Sequence, residues 1–339
     1  MPVRPLNVHR FARIPPALEA LPLNAQSMAR GYRQVVESDL SLITAVICTR
    51  NRADLIAGAV QSVLANEDDA FELVVIDQSD SGATRQALET VLHDPRLRYV
   101  HTTKVGLSAA YNAAVALGGG EIFAFTDDDC LAPADWLTCV RREFAREADV
   151  DLVYGQVEAP AQLAKLPGVV PTLAFPRRRR ISAQDGFIVA GMGANFAARR
   201  RAFCTAGGFD EVLGGGGALR SSQDYDFQFR LFRASGVSVL SPDLRVVHLG
   251  HRTPEQWPQT MLAYGVGDGA FYMKHLRCGD LLAGKILFLR VTRELAKAVY
   301  VPIARRRRYS TIYLAGLLRG SRESFRFGVN RRQRLYVAR

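Results

Sequence analysis

Cysteine is sparse and badly placed for cross-linking: Cys48, Cys130, Cys139, Cys204 and Cys278 are odd in number, scattered, and never spaced as CxxC. That argues against a disulfide framework or a zinc site and points to a reducing compartment. No glycine lies between Thr49 and Leu55, behind the first apolar run, so the GxGxxG turn of a dinucleotide fold is missing. No GxxxxGK[ST] suggests a P-loop either. Residues 281–304 are the most apolar stretch, yet Lys285, Arg290, Arg293, Glu294 and Lys297 interrupt it, short of the roughly 20 apolar residues of a membrane span. The first twenty residues lack the uninterrupted apolar core of a signal peptide, and the expectation is a cytoplasmic protein. Aromatics interleaved with basic residues at regular spacing are also missing, which leaves nucleic-acid binding without a recognisable module.

What is present is organised around residues 123–130, Phe-Ala-Phe-Thr-Asp-Asp-Asp-Cys. The apolar run at 122–125 reads as a buried strand that ends in three carboxylates, Asp127, Asp128 and Asp129, which belong at the strand's carboxyl end. In an open α/β sheet ligands bind at that end, and clustered carboxylates there suit a hard divalent cation carrying phosphate oxygens. The plainer reading is an acidic turn capping the helix expected over 133–149.

Around this cluster, strand and helix signals alternate. Apolar runs at 42–48, 71–76, 97–101 and 122–125 are separated by helical patterns at 53–65, 84–92 and 107–117. That order predicts an α/β fold with a doubly wound, mostly parallel sheet. Residues 1–40, with five prolines, read as an extension on the body. Strand ends carry Cys48-Thr49-Arg50-Asn51-Arg52 and Asp77-Gln78-Ser79-Asp80, and both open on the edge that holds the aspartates. Arg50 and Arg52 could meet a diphosphate, and Asp77 could accept from the N–H edge of a base; taken singly, each reads as a solvated loop residue.

The segments ITAVICTRNR, ELVVIDQSDSG, KVGLSAAYNAA and FAFTDDDCLAPADW, in that order and spacing, resemble the nucleotide-sugar-binding half of glycosyltransferase family 2, whose fold is the A-type glycosyltransferase (GT-A) fold. The resemblance implies that Cys48, Thr49, Arg50, Arg52 and Asp77 hold the nucleotide, with Asp77 on the base. Gly106 and Asn112 would lie beneath it. The aspartates would hold Mg²⁺ or Mn²⁺ and the ribose: Asp127 and Asp129 as metal ligands, Asp127 and Asp128 on the nucleotide sugar. Cys48 stands where the family commonly has proline, and Tyr111 where it commonly has arginine.

Further along, Ser-Ser-Gln-Asp-Tyr-Asp at 221–226 opens a helical pattern. Asp224 there reads as a helix cap, or by resemblance as the catalytic base, with Gln223 replacing the family's usual glutamate and Asp226 as the fallback. By the same resemblance His248 adds a metal or diphosphate contact, with His251 second to it. The four arginines at 177–180 read as a solvated loop or as a loop beside an anionic acceptor.

Residues 252–339 hold 18 Lys/Arg against 5 Asp/Glu, so the net charge of +11 belongs to the C-terminal quarter. Arg290, Arg293 and Lys297 share a helical face opposite Leu287, Val291, Leu295 and Val299. Two readings carry equal weight: a helix packed on the core with its charged side in water, or attachment to an anionic surface such as the inner face of the plasma membrane.

The expected organisation is an extension (1–40), a catalytic domain (41–252, with a nucleotide-binding half to 135 and an acceptor half from 136) and a basic helical region (253–339). The expected function is inverting transfer of a sugar from a nucleotide-sugar donor, a UDP-sugar, to a hydroxyl of a carbohydrate or lipid-linked acceptor in polysaccharide or glycolipid synthesis. The alternative is a non-catalytic module that binds a nucleotide or polyanion at a membrane surface.

Overall fold

The computed structural model describes residues 42–300 and 304–338; the extension expected over 1–40 lies outside them. In chain order the first half comprises β1 (Ile43–Thr49), α1 (Ala53–Leu64), β2 (Phe71–Asp77), α2 (Ala83–Ala87), β3 (Leu97–His101), α3 (Leu107–Leu117), β4 (Ile122–Asp127), β5 (Cys130–Leu131), α4 (Trp136–Arg146) and β6 (Val150–Glu158). The second half adds β7 (Arg179–Ile181), β8 (Asn195–Arg199), α5 (Arg200–Ala206), α6 (Gln223–Arg233), β9 (Val237–His248), α7 (Trp257–Arg277), α8 (Leu281–Tyr300), α9 (Ala304–Glu323), β10 (Gly328–Asn330) and β11 (Leu335–Val337).

The main sheet runs β3-β2-β1-β4-β8-β6-β9-β5, with β7 beside β9. Its first four strands are parallel, as the alternation predicts, and β8 runs antiparallel between β4 and β6. All seven residues of β1 are buried, because a central strand of a parallel sheet is covered on both faces and needs no polar side. Ile43, Ala45 and Ile47 pack against α1 and α4 on one face, whereas Val46 and Cys48 pack towards α3, α5 and α6 on the other. The result is three layers with the sheet in the middle.

Two elements differ from the pattern read in the sequence. The helix expected over 84–92 stops at Ala87 and continues as irregular turns, where β-branched Thr90 and Val91 and the approaching Pro95 disfavour helix. The strand expected over 237–240 and the strand-like 245–247 are one strand, β9. It passes Pro242 at a register break against β6, the place where a missing N–H costs least.

Helices α7 and α9 cross with their backbones nearly touching. A Cβ on Gly269 would lie 2.1 Å from the Leu317 carbonyl oxygen, and one on Gly265 would lie 2.9 Å from the Gly316 Cα. Only glycine lets two helices approach so closely. Among the described residues, no helix is long and apolar enough to cross a membrane.

Candidate active site

The ends of β1 and β4 lie side by side, with Cys48 opposite Asp127. The loop after β1 is fixed by Asn51, which adopts φ +55°, a conformation asparagine tolerates better than most residues. Its backbone N–H donates to Ser79 Oγ at 2.8 Å, and its side chain exchanges hydrogen bonds with Asp80. So anchored, the loop brings Thr49 and Arg52 to the acidic turn. Thr49 Oγ1 donates to Asp128 at 2.7 Å, while the Arg52 guanidinium spans Asp128 Oδ1 and Asp129 Oδ2, each at 2.5 Å. Arg50 faces outward to Asp80 at 3.4 Å but still lines the cleft.

The short pairing of β5 with β9 sets Cys130 opposite His248 and carries the imidazole to the aspartates. His248 Nδ1 lies 3.1 Å from the Pro171 carbonyl, which can only accept, so Nδ1 holds the proton and Nε2 faces Asp129 Oδ1 at 3.3 Å. That approach lacks hydrogen-bond geometry. Among the described residues Asp129 Oδ1 is therefore a buried oxygen without a hydrogen bond. Burial, then the neighbouring Asp129 and Asp128, pushes Asp127 up to about 7; burial likewise pushes Asp128 up to about 6 against the pull of Arg52 and Thr49. Burial would also raise Asp129, but His248 and Arg52 outweigh it and hold that carboxyl below its ordinary range. For His248 burial pulls downward, and Asp129 and Asp127 more than reverse it.

Asp127, Asp129, Cys130 and His248 offer donor atoms that all lie within 4.8 Å of one another. Burial, then Asp127 and Asp129, raises the Cys130 thiol well above its ordinary range, and a soft sulfur donor suits a hard cation poorly. Two carboxylates and one imidazole remain, with an unsatisfied oxygen among them. This oxygen-rich set fits Mg²⁺ or Mn²⁺.

Asp224 stands in the first turn of α6, behind Ser222 in the left-handed conformation at φ +69°. It lines the same cleft, of about 1220 Å³, as the aspartate turn. Its Oδ1 accepts from the Tyr225 N–H at 2.9 Å, and its backbone carbonyl accepts from the Tyr154 hydroxyl at 3.0 Å. Burial pushes its carboxyl up to about 6, against the pull of backbone N–H groups. A second buried carboxylate, Asp268 of α7, faces the same cleft; it accepts from Ser222 Oγ at 2.6 Å and from the Tyr313 hydroxyl.

Other residues singled out in the sequence are placed differently. Asp77 is fully buried, with its two oxygens taken by the Ser79 N–H at 2.8 Å and the Tyr99 hydroxyl at 2.6 Å; its neighbour Gln78 lines the cleft. Asn112 braces the turn at 207–211, exchanging hydrogen bonds with the Phe209 backbone, while Gly106 and Cys48 line the cleft. Asp226 is no alternative base: it is fully buried and paired with Lys274 at 2.6 Å, Arg230 at 2.9 Å and His275 at 2.8 Å. His251 contacts the Pro167 carbonyl instead of the aspartates. In the arginine run, Arg178 and Arg180 pair with Glu143, Glu147 and Asp149, while Arg177 and Arg179 are exposed.

Sequence reasoning missed Asp268 and the inward aim of α8, whose Arg290, Arg293, Glu294 and Lys297 line the cleft. The heptad spacing of Arg290 and Lys297 reveals that the two share a face, but not which way the face points.

Residues 44–205 match the family model described as Glycosyl transferase family 2. The glucosyl-dolichyl phosphate glucuronosyltransferase of Haloferax volcanii is 25% identical over 226 residues, 63% of this chain and 72% of that protein. The succinoglycan biosynthesis protein ExoO of Rhizobium meliloti is 33% identical over 110 residues, 32% of this chain and 31% of that protein. The chain thus spans less than a third of the length of several curated relatives it matches. Among solved structures, the mannosyltransferase PcManGT of Pyrobaculum calidifontis, in complex with GDP-Man and Mn²⁺, superposes with a TM-score of 0.57 at 18% identity, covering 87% of this chain and 93% of that one. The likeness shows a shared GT-A fold.

Proposed function

The chain carries a glycosyltransferase family 2 domain over residues 44–205, and from that premise we propose that it is an inverting, cation-dependent transferase with Asp224 as its base. The substrates of this reading are a nucleoside-diphosphate sugar, with a UDP-sugar as the expected donor, and an acceptor hydroxyl of a growing polysaccharide or glycolipid. One observation carries it: a buried carboxylate with its pKa pushed up to about 6 shares a single cleft with a cation-ready cluster of aspartates and histidine.

In this mechanism Asp127, Asp129 and His248 would hold Mg²⁺ or Mn²⁺, which supplies positive charge against a leaving diphosphate. Arg52 keeps Asp128 and Asp129 in place and offers its remaining N–H groups to the donor phosphates. Asp77 orders the loop after β2, and the donor base rests along the side of the cleft that Gln78 lines. Asp224 accepts the proton of the acceptor hydroxyl as that oxygen bonds to the anomeric carbon. The bond from that carbon to the diphosphate oxygen breaks, and its electron pair leaves with the nucleoside diphosphate. A single displacement inverts the anomeric configuration. In this scheme no side chain serves as a nucleophile, so no covalent intermediate forms.

Asp224→Asn is the decisive variant. Removing a general base costs about 10²- to 10⁴-fold in rate, while the melting-temperature rise given by a nucleotide sugar with Mn²⁺ should persist. Wild-type turnover in that variant would remove Asp224 from the mechanism. Donor binding with no transfer to any acceptor by the wild type would favour the non-catalytic module.

A further inference from the structure

Helix α8 is apolar on two sides: Leu282, Ala283, Ile286 and Leu287 pack inward, and a second apolar stripe, interrupted by Lys285, faces outward. On its outer side Leu281, Phe288, Leu289 and Leu295 are 81%, 66%, 54% and 49% exposed. Arg290, Arg293 and Lys297 line the cleft with Glu294, and of these Arg293 and Lys297 stay half exposed. A helix whose oily side is already packed inward has no use in water for a second apolar stripe on its outer side. The buried Glu294 is taken by Lys297 at 2.7 Å, Arg293 at 3.4 Å and Ser310 at 3.1 Å, so two cations and a hydroxyl share one carboxylate. Arg290 approaches Asp268 at 3.9 Å and stands over the Tyr313 ring at 6.0 Å. These cations are separate from the acidic turn, where among the described residues Arg52 supplies the guanidinium.

We propose that α8 seats an acceptor in which a phosphate or diphosphate joins the hydroxyl-bearing group to a lipid chain, with the phosphate on Arg290, Arg293 and Lys297 and the chain running along the outer stripe into a leaflet. The proposal rests on the transferase reading and names the acceptor class for it. The order of groups fits. From the stripe inward the structure presents four apolar side chains, then three cations, then Asp268, which is bonded to Ser222 two residues before Asp224. A phosphate-linked lipid has the same order: apolar chain, anion, hydroxyl. Lipid would cover apolar surface otherwise left in water, and phosphate would relieve the crowding of like charge beside the cleft.

The test uses the full chain, flotation with phosphatidylcholine vesicles, and a separate melting measurement with UDP-glucose or GDP-mannose and Mn²⁺. Vesicles carrying farnesyl diphosphate should capture the wild type; vesicles carrying farnesol, or phosphatidylglycerol at equal charge, should not. The exposed pair Phe288→Asp with Leu295→Asp, and separately Arg293→Ala with Lys297→Ala, should each weaken capture about tenfold or more, the loss of one to two charge-assisted contacts or their apolar equivalent. Both variants should keep the nucleotide-sugar melting shift. Equal capture by phosphatidylglycerol, or capture unchanged in either variant, overturns the proposal. A melting shift lost in the Arg293/Lys297 variant overturns it too, by assigning those cations to the donor. Absence of any nucleotide-sugar shift in the wild type would instead sink the transferase reading, whatever the vesicles show.

Discussion

A carboxylate acts as a base only when ionised, and burial pushes Asp224 up from an ordinary 3.8 to about 6. Transfer should therefore fall as pH drops through about 6, a limb that a pH–rate profile measures directly. The same shift has a thermodynamic side. Because the folded state takes up this proton more readily than the unfolded state, the ionised carboxylate costs stability above about pH 6, and the cost disappears as pH falls below the unfolded value. Asp224→Asn should accordingly raise the melting temperature at pH 7, by up to about 3 kcal/mol of stability, and the gain should shrink in acid. Two residues on, Asp226 shows the opposite balance. Burial would raise it, yet Lys274, Arg230 and His275 outweigh burial and hold it ionised. Lys274→Met would leave Asp226 and Asp210 buried with one cation fewer, and should cost about 3–5 kcal/mol in a urea titration. Both aspartates sit in one short motif, Asp-Tyr-Asp, and sequence spacing could not tell base from strut. Partners separate them: cations surround Asp226, while Asp224 faces the cleft.

Among elements, those whose pattern is local came out where the sequence puts them. β3 and α3 span the residues read for them, β1 is shifted by one residue, and β2 and β4 extend the expected runs by one and two residues. Elements that depend on distant partners did not: β5, two residues long, exists because β9 pairs with it, and that pairing delivers His248 to the acidic turn. The crossing of α7 and α9 was likewise hidden, since glycines four apart in two helices mean close approach only once the helices are known to meet. Gly269→Val should cost about 1–3 kcal/mol or more, since its Cβ would meet a backbone carbonyl that cannot rotate away. By contrast Gly82→Ala, with nothing within 4 Å, should leave stability within about 0.5 kcal/mol. Paired thermal melts distinguish the two.

For the molecule as a whole, the basic C-terminal quarter is more than a surface coat. Part of that charge, on α8, turns into the cleft, so the same helices that carry the net charge also complete the site. A true donor should then raise the melting temperature in a cation-dependent way, by about 2.7 kcal/mol of stability at a hundredfold excess over its dissociation constant. Chelation with EDTA should abolish the increment. A donor shift of the same size in EDTA would show that Asp127, Asp129 and His248 do not bind a required cation.

The amino-acid sequence alone determined the alternating α/β order, the three carboxylates at a strand's end and the family likeness, because each depends on residues close together in the chain, where periodicity and spacing act. Tertiary structure decided that Asp224 faces the cleft while Asp226 is tied up by cations, that Gln78 rather than Asp77 faces the cleft, that His248 reaches the aspartates, and that Arg290, Arg293 and Lys297 of α8 border the cleft. Those depend on what packs against each side chain, and packing is settled between segments that the sequence keeps far apart.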